Sequence, residues 1–332
     1  MSSTTTVTAS RLPRSFAKKQ IDVSFTVPTG AIGPGSTADK VTLSGLRVRA
    51  TVTNAGMLTG SQLSLRVEGM TLAMMNRLSV VMAMTNVSNQ TNTRFSGALV
   101  EVQAGDAGGT LSTIFLGDIA EAFVDFSGAP SVAFQVLAYD TLPLKVTTAI
   151  PTSYGTPTPA ATIFSELAAK AGLTFANHGV SQTINSFYEA GDLMKQIDKL
   201  ARSIHAVYRV DIVTKTLHAW GRSSDGTQGK TTVKLSKSTG LIGYAAYNQN
   251  GINVTSFFNP ALQYMIPFQL VSEYLPVGWT NNQMGQNIPQ MPSSGLWKPT
   301  LITHDLAAEL PNGPWFTQMT AIRADVPQAK AY

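Results

Sequence analysis

The chain has 332 residues, with 24 basic and 19 acidic side chains, a net charge of +5 and only 13% charged residues. This length can bury the cores of two or three domains, and the absence of cysteine excludes a disulfide scaffold, a cysteine-based zinc site and a thiol nucleophile. Charge at about half the usual share suits a surface largely buried against other subunits better than that of a dispersed monomer.

The only local basic cluster is Arg11, Arg14, Lys18 and Lys19, far short of the basic stripe that marks a nucleic-acid binder. The first residues, MSSTTTVTASRLPRS, lack the apolar run of a secretory signal. The sequons at Asn86, Asn89 and Asn253 are therefore read as coincidental. The most membrane-like stretch, Met70–Met84, contains Asn76 and Arg77 and falls short of the roughly 20 apolar residues of a spanning helix. The expectation is a soluble, cytoplasmically made protein with no membrane-spanning segment.

Residues 1–14 read as a flexible arm. From Ile21 the apolar positions Ile21, Val23, Phe25 and Val27 alternate with Asp22, Ser24 and Thr26, the period of a half-buried strand. A Gly/Pro loop at Gly30–Ser36 leads into VTLSGLRVRATV and LSLRVEGM. Met70–Leu78 reads as a short helix with Leu72, Met75 and Leu78 on one side. Two or three strands with a hairpin near Ala104–Gly109 follow, and SVAFQVLAY closes a first all-β domain, 15–150.

Thr147–Pro159, with Pro151, Pro157 and Pro159, reads as a linker. It runs into a helix capped by Thr158 with Pro159 in its first turn, an apolar face of Ile163, Phe164, Leu167 and Ala171, and a stop at Gly172. A second helix is predicted from Gly191–Asp192, with Leu193, Ile197, Leu200 and Ile204 inward and Asp198 and Arg202 outside. YRVDI and TLHAW form a hairpin turning at Thr214–Lys215. Together these make a small two-helix α+β domain, 151–229.

β character returns at Lys230 for a third domain, 230–332. Its segment Gly240–Leu262 followed by IPFQLVS has the layout of Ser44–Gly56 followed by QLSLRVEGM: Gly-(Leu/Ile)-x-Val opens a strand, a polar turn follows, then a second alternating strand. Gly278–Pro299 reads as a long polar loop, Asp305–Leu310 as a short helix, Pro311–Pro314 as a turn and the remainder as a final strand.

No chemical constellation survives inspection. Gly33–Ala38 matches a loose dinucleotide fingerprint, but a strand follows where the motif needs a helix. Ser224–Thr231 resembles a phosphate loop, yet it lacks the first glycine and the following helix whose N-terminus holds the phosphate. His178, His205, His218 and His304 have no metal-ligand spacing; His178 is placed in a turn, and convergence of three in space is left open. Glu121 and Asp125 form an acidic pair of the kind glycosidases use, here read as solvent-facing. Trp279, Trp297 and Trp315 are candidates for a glycan platform, but their Pro and Gly neighbours favour loop anchors. No catalytic, cofactor-binding or metal-ligating residue is assigned.

Against this background the chain resembles the baseplate hub proteins of contractile-tailed bacteriophages, which are related to late-control D proteins and to the N-terminal region of type VI secretion valine-glycine-repeat spike proteins. The markers run in order along the chain: Ser44–Val48, Val67–Leu78, Ala104–Asp106, Phe115–Ile119, Ile150–Tyr154, Phe175–Val180, Gly251–Val254, Phe257–Pro260 and Asn312–Thr317. The resemblance implies a mainly β fold, two similar tube-type β-barrels flanking the α+β insertion. It further implies a homotrimer whose six barrels adapt a six-fold tail tube, or tube-initiator proteins, above to a trimeric spike below. Contact with a tape-measure protein and transient passage of DNA are part of the same expectation, as is a place in the virion. The alternative reading is a β-rich tail-tip or adhesin module binding surface glycans.

Overall fold

The computed structural model describes residues 17–27, 40–79, 98–221, 232–248, 251–273, 279–281, 287–289 and 294–324. It divides into a larger unit, Ala17–Arg222 with Asp305–Pro314, and a smaller one built from the described residues of 232–304 and 315–324.

The larger unit begins with β1 (Lys19–Thr26), β2 (Lys40–Leu43), β3 (Arg47–Gly56), β4 (Gly60–Glu68), α1 (Leu72–Leu78), β5 (Leu99–Asp106), β6 (Ser112–Asp125) and β7 (Ala133–Tyr139). The strands pair antiparallel in the order β2-β1-β5-β6-β7-β4-β3. One face follows directly from the alternation: Ile21, Val23, Phe25, Leu63, Leu65, Val67, Val100, Val102, Phe134 and Val136 are all buried. Phe25 meets Phe134 edge to face at 6.1 Å. Each such side chain contributes roughly 1.5–3 kcal/mol by leaving water. The other face is polar and laced with ion pairs such as Lys40–Glu101 at 2.9 Å and Arg66–Asp125 at 3.4 Å. In β6 a register shift between Ile119 and Glu121 turns two consecutive residues, Ile119 and Ala120, inward. The order is an open path: among the described residues no pair joins β2 to β3, so the expected closed barrel is not formed.

The rest of this unit comprises α2 (Leu142–Val146), β8 (Thr148–Tyr154), β9 (Thr158–Pro159), α3 (Ala160–Lys170), β10 (Thr174–His178), β11 (Thr183–Ile184), β12 (Phe187–Asp192), α4 (Leu193–Ser203), β13 (Val207–Asp211) and β14 (Thr216–Trp220). Helices α3 and α4 bury Ile163, Phe164, Leu167, Met194, Ile197 and Leu200 against Tyr208, Leu217 and Ala219. Asp192 caps α4 by accepting the Lys195 N–H at 2.8 Å, as its position at the predicted start suggests. Gly172, with φ of +69°, follows the end of α3.

Four expectations fail here. Thr147–Pro159 is not a linker: Thr148–Tyr154 is a strand paired with β12. Pro151 is accommodated because it falls where that register shifts, so no ladder bond needs its missing N–H. Thr158 does not cap α3; it pairs with Ile184, and Pro159 takes the cap position. Leu72 lies on the exposed side of α1, whose buried residues are Met75 and Leu78. Asp198 is buried, held by Arg202 Nε at 2.5 Å and the Tyr208 hydroxyl at 3.3 Å.

The smaller unit contains β15 (Val233–Leu235), β16 (Leu241–Asn248), β17 (Gly251–Phe257), β18 (Phe268–Leu270), β19 (Trp279–Asn281), β20 (Asn287–Pro289), most of β21 (Gly295–Ala308) and β22 (Trp315–Arg323). The order is β16-β17-β22-β21, with β18 joining β21 to β15, and β15 runs parallel to β18. Its core is Leu235, Ile252, Val254, Phe268, Leu270, Trp297, Ile302 and Met319.

Two further corrections concern the segments 278–299 and 305–310. The 278–299 segment is not all loop, because β19 and β20 pair and β21 begins at Gly295. Asp305–Leu310 is not helical: β21 runs to Ala308, and a turn with positive φ at Glu309 and Asn312 follows. The two similar segments also diverge in pairing. β3 pairs with β4 as a hairpin, whereas β17 pairs with β16 and β22, not with β18.

Candidate functional site

A polar row runs along the α+β part of the larger unit. Thr152, buried on β8, donates to Gln196 Oε1 on α4 at 2.7 Å and accepts from Lys170 Nζ on α3 at 2.7 Å. Lys170 also pairs with Glu166 at 2.8 Å, and the Tyr154 hydroxyl donates to the same carboxylate. The Lys170 hydrogen bond holds the Glu166 carboxyl below its usual range, and the Glu166 carboxylate pushes the Tyr154 phenol up to about 12. Every member is thus engaged in positioning its neighbours. Beside the row lies an open cavity of about 440 Å³ lined by Leu144, Ala149, Ile150, Lys170 and Leu193. Ile150, 79% exposed, and Tyr188, 66% exposed, stand on the β8–β12 ladder.

Two of the four histidines meet. His178, which ends β10 instead of lying in a turn, places Nε2 3.0 Å from Nδ1 of His218 on β14. The Trp220 ring stacks on His178 at 4.9 Å and 14°. His205 follows α4 with a positive φ, and His304 lies in the smaller unit. Among the described residues no three His, Asp or Glu side chains are grouped to hold a metal.

Three buried groups have strongly displaced proton affinities: Asp118 and Asp140, both raised to about 6 by burial, and His304. Asp140 accepts the Ser61 N–H at 2.9 Å, and burial pushes it up to about 6. Gly60 is required beside it, since a Cβ there would stand 2.6 Å from Asp140 Oδ1. In the smaller unit, Thr317 Oγ1 accepts the Asn259 N–H at 3.1 Å and hydrogen-bonds with His304 Nδ1 at 2.9 Å. Burial lowers His304 to about 4. Phe258 packs edge-on to both His304 and Trp315, at 5.4 and 5.5 Å. The sequence markers Phe257–Pro260 and Asn312–Thr317 therefore contribute to one structural corner. His304 was not among the sequence markers, because nothing local to it signals that convergence.

Two of the three candidates for a glycan platform are buried. Trp297 is buried with Arg323 over its ring at 5.0 Å, Trp315 is buried against Phe258, and the Trp279 side chain lies outside the described residues. Asp125 is held below its usual range chiefly by Ser127, with Gln135 and Arg66 also contributing, while Glu121 is exposed. The rejected motifs at Gly33–Ala38 and Ser224–Thr231 lie outside the described residues.

Comparison with known proteins gives a consistent picture. A family model described as baseplate hub gp41 matches residues 20–277. The 43 kDa tail protein of prophage MuSo2 from Shewanella oneidensis superposes with a TM-score of 0.55 at 9% identity, covering 92% of this chain and 97% of its own. A tail protein from Neisseria meningitidis MC58 gives 0.56 at 9% identity, with 91% and 96% covered. The E. coli c3393 protein, a type VI secretion component with structural similarity to T4 phage tail proteins gp27 and gp5, gives 0.51 at 12% identity, with 84% and 74% covered. These TM-scores establish a shared fold. No curated protein sequence matches.

Proposed function

The chain belongs to the baseplate hub gp41 family, and from that premise we propose that it is a structural subunit of a phage tail baseplate, working as a homotrimer. Its role is geometric: three copies, each contributing two β units, present six comparable positions to a six-fold tube and three to a trimeric spike, around a path for DNA. The family match across 20–277 carries this reading. The 13% charge content supports it, as do the exposed Ile150 and Tyr188 on one ladder, because obligate interfaces bury more apolar area than transient ones. On this reading the two-barrel layout is completed on assembly, the protein sits in the virion, and no bond is made or broken.

Light scattering of the purified protein is expected to give three times the chain mass of 35.3 kDa, and electron micrographs three-fold rings. A monomer across the micromolar range overturns the reading. On denaturant titration of a hub–spike complex the spike is expected to leave before the trimer separates.

A further inference from the structure

A three-membered ring is held by heterologous contacts, so each chain has to carry two different patches that fit one another. The larger unit supplies one concave and one convex patch. The concave one is the open cavity of about 440 Å³ beside β8, lined by Pro143, Leu144, Ala149, Ile150 and Leu193. Among the described residues that line it, Lys170 alone is charged. Glu166 and Thr152 already engage Lys170 at 2.8 and 2.7 Å, so covering it leaves no unpaired charge.

The convex patch is the turn 126–131 between β6 and β7, where every residue is exposed and none is charged. Phe126 is 58% exposed, and Phe123 near the end of β6 is exposed as well. The turn is held in shape: Asp125 accepts the Ser127 N–H at 3.0 Å, and the Ser131 N–H donates to Gly128 O at 2.9 Å. Away from these two patches, the exposed large hydrophobics described in this unit, Leu58, Leu72, Val213 and Leu310, stand singly on separate elements. The turn precedes β7 and α2, with Pro143 and Leu144, follows it. The length of β7, about 20 Å, therefore keeps a chain's turn out of its own cavity.

We propose that the Phe126 turn of one copy seats in the cavity beside β8 of the next, three such joints closing the ring. This rests on the trimer reading and names its contact. An apolar cavity of about 150 Å³ holds a benzene ring, so this one takes the Phe126 ring with part of its turn. A preformed turn presenting one aromatic anchor loses little freedom on docking.

The chain has no cysteine, so Phe126→Cys and Ile150→Cys together report this joint alone. With a short bismaleimide, the full-length double variant is expected to give covalent species of two and three chain masses and none larger. Coexpressed single variants are expected to give a covalent dimer, and each single variant alone only monomer. Both positions are exposed, so neither change touches the core. Ile150→Cys linking to itself overturns the joint, as does absence of linkage in a protein that scatters as a trimer. A ladder beyond three chains overturns ring closure. Wild type scattering as a monomer sinks the trimer reading and the joint with it. Phe126→Asp is expected to weaken trimer formation at least about tenfold. Val213→Asp, at a position 50% exposed outside both patches, is expected to leave it unchanged. Equal effects of the two changes overturn the proposal.

Discussion

Single residues in this protein carry opposite pH dependences. His304 is buried and neutral, its folded pKa lowered to about 4 from the ordinary 6.5. Between those values the unfolded chain binds the extra proton, so the contribution of His304 is present above pH 6.5 and is lost as pH falls toward 4. Asp140 runs the other way: its folded pKa, raised to about 6 from 3.8, makes the folded state the better proton binder. Its contribution is present below about pH 4 and is lost as pH rises through 6. Urea unfolding should therefore show the stability gap between wild type and His304→Gln shrinking by roughly 2 kcal/mol from pH 7 to pH 4.5. The gap between wild type and Asp140→Asn should shrink by a similar amount in the opposite direction, from pH 4.5 to pH 7. Gaps that stay constant with pH would show that neither group titrates as its burial requires.

Secondary-structure elements are held by a few positions that tolerate little change. Gly251 opens β17 with φ of +158°, and a Cβ there would stand 2.0 Å from Ala321 O on β22. Gly251→Ala is expected to cost more than about 2 kcal/mol, because the β17–β22 ladder has to part or the backbone has to shift. A fall in Tm of a degree or less would refute that account. Asp192→Ala removes the acceptor for the Lys195 N–H and is expected to cost about 1 kcal/mol in chemical denaturation. The Asp192 cap and the inward stripe of α4 were readable from residue types three and four apart. The strand identity of Thr148–Tyr154 was not, since the three prolines of Thr147–Pro159 read as a linker until β12 supplies a partner and a register shift for Pro151. Likewise DLAAEL has helical composition, yet Leu306, Ala307 and Ala308 are buried in β21, where tertiary packing overrides a weak local preference.

For the whole molecule, the candidate sites divide between those visible as motifs and those created by convergence. Phe257–Pro260 and Asn312–Thr317 stood out as sequence markers, but their meeting around Phe258 and His304 is a product of the β17–β22 pairing. The His178–His218 contact spans 40 residues and depends on β10 running parallel to β14. The assembly reading also belongs to this scale, since it concerns what three copies do together, and the expected trimer mass and three-fold rings test it there.

The sequence alone determined the β-rich class, the two helices with their inward stripes, the Asp192 cap of the second, and the family resemblance, because all of these rest on period, cap chemistry and ordered short motifs that act over a few residues. Only the tertiary structure decided that β2 and β3 stay unjoined among the described residues, that the two similar segments pair differently, and which histidines and carboxylates are buried. Strand partners and burial are set by contacts between residues far apart in the chain, and no local pattern encodes which distant strand will supply them.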